Sequence, residues 1–169
     1  MAEVAEVLSP EPTGTAESYI LENLRSAPGH LMRRCQQIAV SVFLDECRTF
    51  DLTPLQFAVL TALLKGGPEA QVHLGGALAL DRTTIGVVVK NLEERGLVTR
   101  TVSEKDRRSK PVSITEAGEA LIHDAIGAAE AAQDRMLAPL TAAERKQFIR
   151  LLQKMADGNN SESRAPLRR

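Results

Sequence analysis

Aromatic side chains are scarce in this 169-residue chain, which contains four Phe, one Tyr and no Trp. This scarcity disfavours an aromatic-rich β-sandwich, and the abundance of Leu, Ala and Val favours helices packed by aliphatic side chains. It also argues against a protein that binds single-stranded nucleic acid by stacking bases on aromatic platforms. We therefore expect a mainly helical protein with the length of one domain.

Long apolar runs are missing too, since no stretch approaches the roughly 18 to 20 residues that span a bilayer. The first residues are acidic and do not resemble a secretory signal, so we expect a cytoplasmic protein. Cysteine is limited to Cys35 and Cys47, which one predicted helix would hold roughly 18 Å apart, beyond the reach of a disulfide. Two reduced thiols are the simpler interpretation, and a redox-sensing thiol is the alternative.

Charge of one sign is not in excess, because the formal net charge is −1 at pH 7. The distribution is uneven, however, and residues 82–110 carry eight basic and four acidic side chains, a net charge of +4. The histidines are scattered, and no spacing matches a metal site, a Gly-rich phosphate loop or a catalytic motif. We therefore expect no enzyme, no cofactor and no metal, and one basic region suited to a nucleic acid.

Hydrophobic periodicity divides the chain into five segments. Two segments without periodicity, at the two ends, predict disorder. Between them we expect an amphipathic helix, then a DNA-binding domain with a helix-turn-helix and a hairpin, then two more helices. The boundaries are a disordered arm over 1–17, the first helix within 18–50, the DNA-binding domain within 51–115, the last helices within 116–157 and a disordered tail over 158–169.

Short local signals place the helix ends. Thr53 with Gln56, and Thr141 with Glu144, have the spacing of a capping box, which starts a helix. Gly96 stands where it would end the helix that follows the turn. A Gly75-Gly76 pair inside a short helix is unfavourable by roughly 1 kcal/mol per Gly relative to Ala, and predicts close backbone packing or a weak helix.

Two alternating, β-branched segments, 97–102 and 111–115, predict a hairpin with a basic tip. The order of elements is that of a winged helix-turn-helix, in which the helix after the turn enters the major groove of DNA. A charged hairpin tip on its own is more often a solvated loop. Its coincidence with the basic region and with this order of elements favours contact with DNA.

Three segments together resemble the MarR family of bacterial transcription regulators, over roughly residues 26–156. They are LTPLQFAVLTAL (52–63), LDRTTIGVVVKNLEERGLVTR (80–100) and DRRSKPVSITEAG (106–118). The third segment fits the family's D-x-R…LT-x-x-G pattern through Asp106, Arg108, Ile114, Thr115 and Gly118. The resemblance implies a winged helix-turn-helix fold with dimerisation helices at both ends, and a repressor that a small molecule releases from DNA.

The resemblance also implies which residues contact DNA. Arg108 would enter the minor groove, with Asp106 orienting it, and Thr84 would lie near phosphates. Gly86 and Val87 stand where many members have polar side chains, so contact between Val87 and a thymine methyl is the natural substitute. The expected DNA-binding residues are Thr83, Thr84, Val87, Lys90, Asp106, Arg107, Arg108 and Lys110.

The apolar stripes of the first helix and the last two helices exceed what a winged domain of about 65 residues covers, which indicates an interface. Family members are similar in interleaving these helices as a homodimer on a pseudo-palindromic operator. The alternative is that the helices fold back on their own domain.

For the effector, the resemblance implies an aromatic acid or its CoA thioester, such as a hydroxycinnamoyl-CoA. Two guanidiniums and an imidazole on the first helix are suited to a carboxylate or phosphate, although solvated side chains are the plainer interpretation. Two Phe rings are expected to line an aromatic pocket. The expected effector-binding residues are His30, Arg33, Arg34, Gln37, Phe43 and Phe57.

Overall fold

The computed structural model describes residues 23–100 and 111–168. The chain divides into two units, Met1–Ile38 and Ala39–Arg169. In the described residues the regular structure consists mainly of helices with one β-hairpin, as the sequence predicts. The helices are α1 (Pro28–Glu46), α2 (Pro54–Gly66), α3 (Gln71–Ala77), α4 (Arg82–Glu94), α5 (Glu116–Met136) and α6 (Ala142–Gly158), the strands are β1 (Val98–Arg100) and β2 (Val112–Ile114), and short 3-10 helices span Arg48–Phe50 and Asn160–Glu162.

The described part of the first unit contains the beginning of α1. The large apolar side chains of this part, on α1 and just before it, are largely exposed within the chain. These are Leu24, Leu31, Met32 and Ile38. The rest of α1 belongs to the second unit, where Phe43 is its buried residue.

Both predicted capping boxes are confirmed. The Gln56 N–H donates to Thr53 Oγ1 over 3.2 Å, and the Thr53 N–H donates to Gln56 Oε1 over 3.0 Å. Thr141 and Glu144 make the same reciprocal pair at the start of α6. Each box satisfies backbone N–H groups that the first turn of a helix leaves without an internal partner.

The main core lies where α2, α4, α5 and the hairpin meet. β1 and β2 pair antiparallel, with Val98 opposite Ile114. The apolar face of α4 and the inner residues of the strands are almost completely covered. Buried core residues include Val59, Leu60 and Leu63 of α2, Ile85, Val88, Val89 and Leu92 of α4, Val98 and Val112 of the strands, and Ile122 and Ala125 of α5.

The turn between α3 and α4 depends on Gly75. A Cβ at this position would lie 3.1 Å from the Leu80 carbonyl oxygen and 3.2 Å from Ile85 Cγ2, distances that are shorter than nine in ten Cβ contacts in proteins. The Leu80 N–H donates to the Gly75 carbonyl over 2.8 Å, and Ala79 takes a positive φ of 52° within the turn. The close packing predicted for the glycine pair is therefore confirmed at Gly75.

β2 and α5 are joined through Thr115 and Gly118. The Thr115 hydroxyl donates to the Gly96 carbonyl over 2.8 Å and accepts from the Gly118 N–H over 3.1 Å, which caps α5. A Cβ on Gly118 would overlap the Leu97 carbonyl oxygen. The Thr-x-x-Gly pattern after the second strand thus has a local structural cause.

A second, smaller core lies beside the end of α1. Phe43, Cys47, Ala129 and Ala132 are its buried members. Next to it, Arg135 of α5 forms ion pairs with the carboxylates of Asp45 and Glu46, the latter over 2.8 Å. These ion pairs link the end of α1 to α5. Because the carboxylates are partly exposed, the pairs contribute little to the free energy of unfolding.

The last helix differs from the others because α6 has no buried residue. Its apolar face is exposed within the chain. No single helix in the described ranges is long and apolar enough to span a membrane, and α3 with α4 reaches that length only as a pair bent by 113°.

The segment that follows α6 differs from its prediction. The sequence predicts disorder over 158–169, whereas the structure places a 3-10 helix at Asn160–Glu162 and a backbone hydrogen bond from the Arg168 N–H to the Gly76 carbonyl. Composition could not predict this, because the contact joins two residues that are 92 positions apart in the sequence. The predicted arm over 1–17 lies outside the described residues.

Candidate nucleic-acid interface

The outward face of α4 carries Thr83, Val87 and Lys90, spaced by four and three residues and therefore on one side of the helix. Thr83 and Lys90 are exposed, and Val87 is 54% exposed. The opposite side of α4 is packed into the main core. The helix therefore presents two polar side chains and one branched apolar side chain on a rigid support.

The start of α4 is capped by Asp81. Its carboxylate accepts the Thr84 N–H and the Thr84 hydroxyl, both over 2.8 Å. These hydrogen bonds from Thr84 hold the pKa of Asp81 below its ordinary value. Because the Thr84 hydroxyl already donates its proton to Asp81, the main role of Thr84 is to stabilise the first turn of α4. Its oxygen remains able to accept a further hydrogen bond.

Lys90 has a weak partner within the chain. Its ammonium group lies 3.6 Å from the Glu94 carboxylate, four residues along the same helix, and both side chains are mostly exposed. Exposed pairs of this kind contribute little, so Lys90 can exchange Glu94 for a phosphate at small cost.

Two basic residues of the predicted DNA-binding region instead hold the domain together. Arg95 donates to the Asp51 carbonyl over 2.6 Å and the Phe50 carbonyl over 3.2 Å. Arg100 lies 3.3 Å from the Glu93 carboxylate and donates to Gln71 Oε1 over 3.0 Å. Sequence reasoning missed these roles.

The distance in sequence between these two arginines and their partners explains why their roles could not be predicted. Arg95 binds carbonyl groups more than forty positions away, and Arg100 reaches α3 across 29 positions. No short-range pattern marks such contacts. Arg82 differs from both, because within the described residues it forms no ion pair and lies exposed in the first turn of α4.

The wing residues predicted to contact DNA are Asp106, Arg107, Arg108 and Lys110. They lie outside the described residues, so their roles stay predictions.

The predicted effector residues fall into two groups. His30, Arg33, Arg34 and Gln37 lie on α1 within the first unit. There, Arg33 donates to Gln37 Oε1 over 2.8 Å, four residues along the helix. The structure thus pairs Arg33 with Gln37.

Phe43 and Phe57 form the other group, within the second unit. Their ring centroids are 5.6 Å apart, and the rings meet edge to face at 67°. Phe43 is buried and Phe57 is partly buried against the smaller core. Such an edge-to-face pair is a favourable aromatic contact, and the structure brings the two predicted rings together.

The two thiols differ in environment. Cys35 is exposed, whereas Cys47 is buried in the smaller core. Burial, with a smaller contribution from Glu46, raises the pKa of the Cys47 thiol and disfavours the reactive thiolate. In the described ranges, no cluster of three or more His, Cys, Asp or Glu could hold a metal ion.

Comparison with known proteins connects this geometry to a family. Residues 50–109 match the MarR family. The HTH-type transcriptional repressor NicR of Pseudomonas putida is 35% identical over 133 residues, which cover 79% of this chain and 84% of NicR. The chain belongs to the MarR family. The MarR match spans α2 to β1, and therefore contains the helix-turn-helix described above.

Solved MarR structures extend the likeness beyond the DNA-binding domain. Bordetella bronchiseptica BpsR, whose DNA binding is described as regulated by 6-hydroxynicotinic acid, is 35% identical with a TM-score of 0.73, and the match covers 77% of this chain and 93% of BpsR. CouR bound to a 23-mer DNA duplex is 30% identical with a TM-score of 0.72, over 79% of this chain and 95% of CouR. CouR from Rhodococcus jostii RHA1 has also been solved with p-coumaroyl-CoA. The winged helix-turn-helix fold is thereby confirmed.

Proposed function

We propose that the protein is a transcriptional repressor that binds a pseudo-palindromic operator as a homodimer and is released by a small aromatic effector. The observation that carries the proposal is α4, a capped helix fixed in the core that presents Thr83, Val87 and Lys90 outward. NicR is named a repressor, and CouR was solved on DNA, which supports the same role here. Such a protein acts on the chromosome, which fits a cytoplasmic location.

In this proposal α4 lies in the major groove. Val87 contacts a thymine methyl, Lys90 contacts a phosphate or a guanine edge, and Thr83 bonds the backbone or a base. Thr84 acts mainly through the cap that it shares with Asp81. Arg108 of the wing enters the minor groove with Asp106 orienting it, while Arg107 and Lys110 contact phosphates.

Apolar side chains that are exposed within the chain support the proposed homodimer. The last helix buries none of its residues, and the beginning of α1 leaves its apolar residues largely exposed. Stripes of this size on two helices mark an interface, and a closed two-fold dimer is the commonest assembly. On α6 the exposed residues are Ile149, Leu151, Leu152 and Met155.

The effector in this proposal is an aromatic acid or its CoA thioester. Phe43 and Phe57 supply ring edges for an aromatic group, and Phe57 is only partly buried. On the first unit, Arg33 and Arg34 with His30 and Gln37 are proposed, from their charge and polarity alone, to bind an anionic group such as a carboxylate or a phosphate of CoA. BpsR and CouR, which have ligands of these two classes, support this choice.

DNA binding is tested by selecting bound sequences from a random duplex pool and footprinting the result. We expect two half-sites about 34 to 36 Å apart, one helical turn. Arg108→Ala should weaken operator binding by on the order of 1–3 kcal/mol while the dimer stays intact. A wild-type protein that selects no sequence would contradict the proposed function, and full affinity of the variant would remove Arg108 from the interface.

The effector is tested by titrating the protein–operator complex with 6-hydroxynicotinic acid, p-coumaric acid, benzoate, p-coumaroyl-CoA and benzoyl-CoA. We expect one chemical class to release the DNA. Arg33→Ala with Arg34→Ala should raise the effector concentration needed for release and leave DNA affinity nearly unchanged. Lys146→Ala with Arg150→Ala is the matched control, because it removes two positive charges from α6. Release by none of these compounds would contradict the effector class.

The redox alternative depends on Cys35, since the buried Cys47 is poorly suited to it. Peroxide treatment of the wild type and of Cys35→Ser distinguishes the two hypotheses. Equal retention of DNA by both proteins supports a repressor controlled by a ligand. Release from the wild type alone would instead assign the switch to the Cys35 thiol.

A further inference from the structure

The segment that follows α6 is closed into a loop by Asn160. The Asn160 side-chain amide donates to the Leu167 carbonyl over 3.1 Å, and its oxygen accepts the Leu167 N–H over 2.8 Å. These two hydrogen bonds join residues seven positions apart and direct the end of the described chain toward α3. We call residues 160–168 the docked tail.

The docked tail is attached to α3 at Gly76. The Arg168 N–H donates to the Gly76 carbonyl over 2.9 Å. A Cβ on Gly76 would lie 3.1 to 3.4 Å from the Cδ, Cβ and Cγ atoms of Arg168, so the Arg168 side chain lies directly across the glycine. Gly75 serves the packing of α3 on α4, and Gly76 provides the surface on which the tail rests.

Three arginines line the space between the docked tail and the helix-turn-helix. A cavity of about 400 Å³ lies there, lined by Arg82 of α4 and by Arg164 and Arg168 of the tail. Within the described residues, none of these three arginines forms an ion pair. Asp81 also lines the cavity, but its carboxylate accepts two hydrogen bonds from Thr84. The cavity is therefore a place where anionic oxygens would be attracted.

The position of the tail relates it to DNA. In a helix-turn-helix, the second helix enters the major groove by its N-terminal residues while the first helix crosses the sugar–phosphate backbone. Here the first helix is α3, and the docked tail lies over α3 and beside Arg82 in the first turn of α4. If α4 lies in the major groove as proposed, this arrangement brings the tail close to the phosphate backbone.

We propose that the docked tail is part of the DNA-binding surface and that Arg164 and Arg168 contact the phosphate backbone. This inference rests on the proposed function. The alternative is that the tail covers α3 and obstructs DNA. Charge favours contact, because the tail carries these two arginines against the single acidic residue Glu162. Phosphate contacts strengthen binding to any sequence, and they make it more sensitive to salt.

The test compares two double variants of the full chain. Arg164→Gln with Arg168→Gln removes the proposed contacts, and Lys146→Gln with Arg150→Gln removes the same charge from α6. The Kd is measured between 50 and 200 mM salt, on the selected operator and on an unrelated duplex. The slope of log K against log salt should become shallower by roughly 0.9 for each phosphate that the tail variant no longer neutralises. Affinity for both duplexes should fall by the same factor, and the α6 control should keep the wild-type slope.

An unchanged slope would overturn the inference, and tighter binding by the tail variant would show that the tail obstructs DNA. Asn160→Ala, which opens the loop, should reproduce part of the shallower slope, whereas Ser161→Ala beside it should not. A wild-type slope in Asn160→Ala would overturn the docked arrangement. If the wild type selects no operator, the proposed function fails; if it binds an operator and the tail variants bind identically, this inference alone fails.

Discussion

The helices α4 and α6 are similar in sequence pattern but differ in how much of their apolar face the chain buries. Each begins with a side chain that caps its first turn, Asp81 for α4 and Thr141 for α6, and each has one apolar and one polar side. Yet α4 buries Ile85, Val88, Val89 and Leu92, while α6 has no fully buried residue. An amphipathic pattern shows that a helix has an apolar face, and it does not show which surface covers that face. For α4 the cover is the chain itself, and for α6 we propose a second copy.

The largest expected effect is loss of core packing. Leu92 is fully covered, so Leu92→Ala should lower the free energy of unfolding by roughly 2–5 kcal/mol in urea titrations. Leu151→Ala on α6 is the counterpart, because Leu151 is 46% exposed within the chain. The cost of Leu151→Ala should depend on protein concentration, because it acts on assembly. Equal, concentration-independent losses would remove the distinction between the helices.

The next effect concerns assembly. Leu152→Glu places a negative charge on the apolar face of α6. Gln153→Glu is the control, because it places the same charge at the next residue, which lies on the polar face of the helix. In analytical ultracentrifugation Leu152→Glu should sediment as a monomer and Gln153→Glu as a dimer. Operator affinity of Leu152→Glu should fall by about tenfold or more, since the two half-sites no longer act together. A dimeric Leu152→Glu would place the interface elsewhere.

Loss of a helix cap should have a smaller effect. Thr141→Ala should lower the free energy of unfolding by about 1 kcal/mol and leave the affinity of the dimer for the operator unchanged. Asp81→Ala also removes a cap, but the turn that it frees carries Thr83 and Thr84. We therefore expect Asp81→Ala to weaken operator binding as well, in fluorescence anisotropy titrations. If both variants bind DNA like the wild type, the capped turn of α4 is not part of the interface.

The smallest effect is the pH dependence of the two caps. Hydrogen bonds from Thr84 lower the pKa of Asp81, and those from Thr141 lower the pKa of Glu144. A lowered folded-state pKa means that each carboxylate stabilises the fold above its unfolded pKa, and that this contribution is lost as the pH falls below about 4.

The measurement is the difference in free energy of unfolding between wild type and Asp81→Asn, or wild type and Glu144→Gln, at several pH values. Each difference should shrink as the pH falls below about 4. A difference that stays constant from pH 6 to pH 3 would show that the charge of the capping carboxylate contributes nothing.

Sequence reasoning succeeded where structure is made by near neighbours. The capping boxes at Thr53 and Thr141 join residues three positions apart, and the packing at Gly75 and the hairpin join residues within 16 positions of each other. The outward face of α4 follows from helical periodicity and agrees with the exposed Val87. These features needed no knowledge of the tertiary structure.

Prediction from the sequence was wrong where contacts between residues far apart in the chain determine the structure. The charge pattern assigned every basic residue near α4 to one region, whereas Arg95 and Arg100 bind distant parts of the domain. The composition of the last residues predicted disorder, whereas Asn160 closes a loop and Arg168 reaches Gly76. A basic side chain in sequence gives a charge, and only its neighbours in space determine whether that charge is available to a ligand.

The joint at Thr115 and Gly118 has a mechanical consequence. The Thr115 hydroxyl is bonded to the chain on both sides, and Gly118 touches the Leu97 carbonyl so closely that no side chain fits. A change of angle between β2 and α5 would strain these two hydrogen bonds and the close contact between Gly118 and Leu97. We therefore expect the base of the hairpin and α5 to move together, so that a rotation of α5 would also reorient the strands that carry the wing.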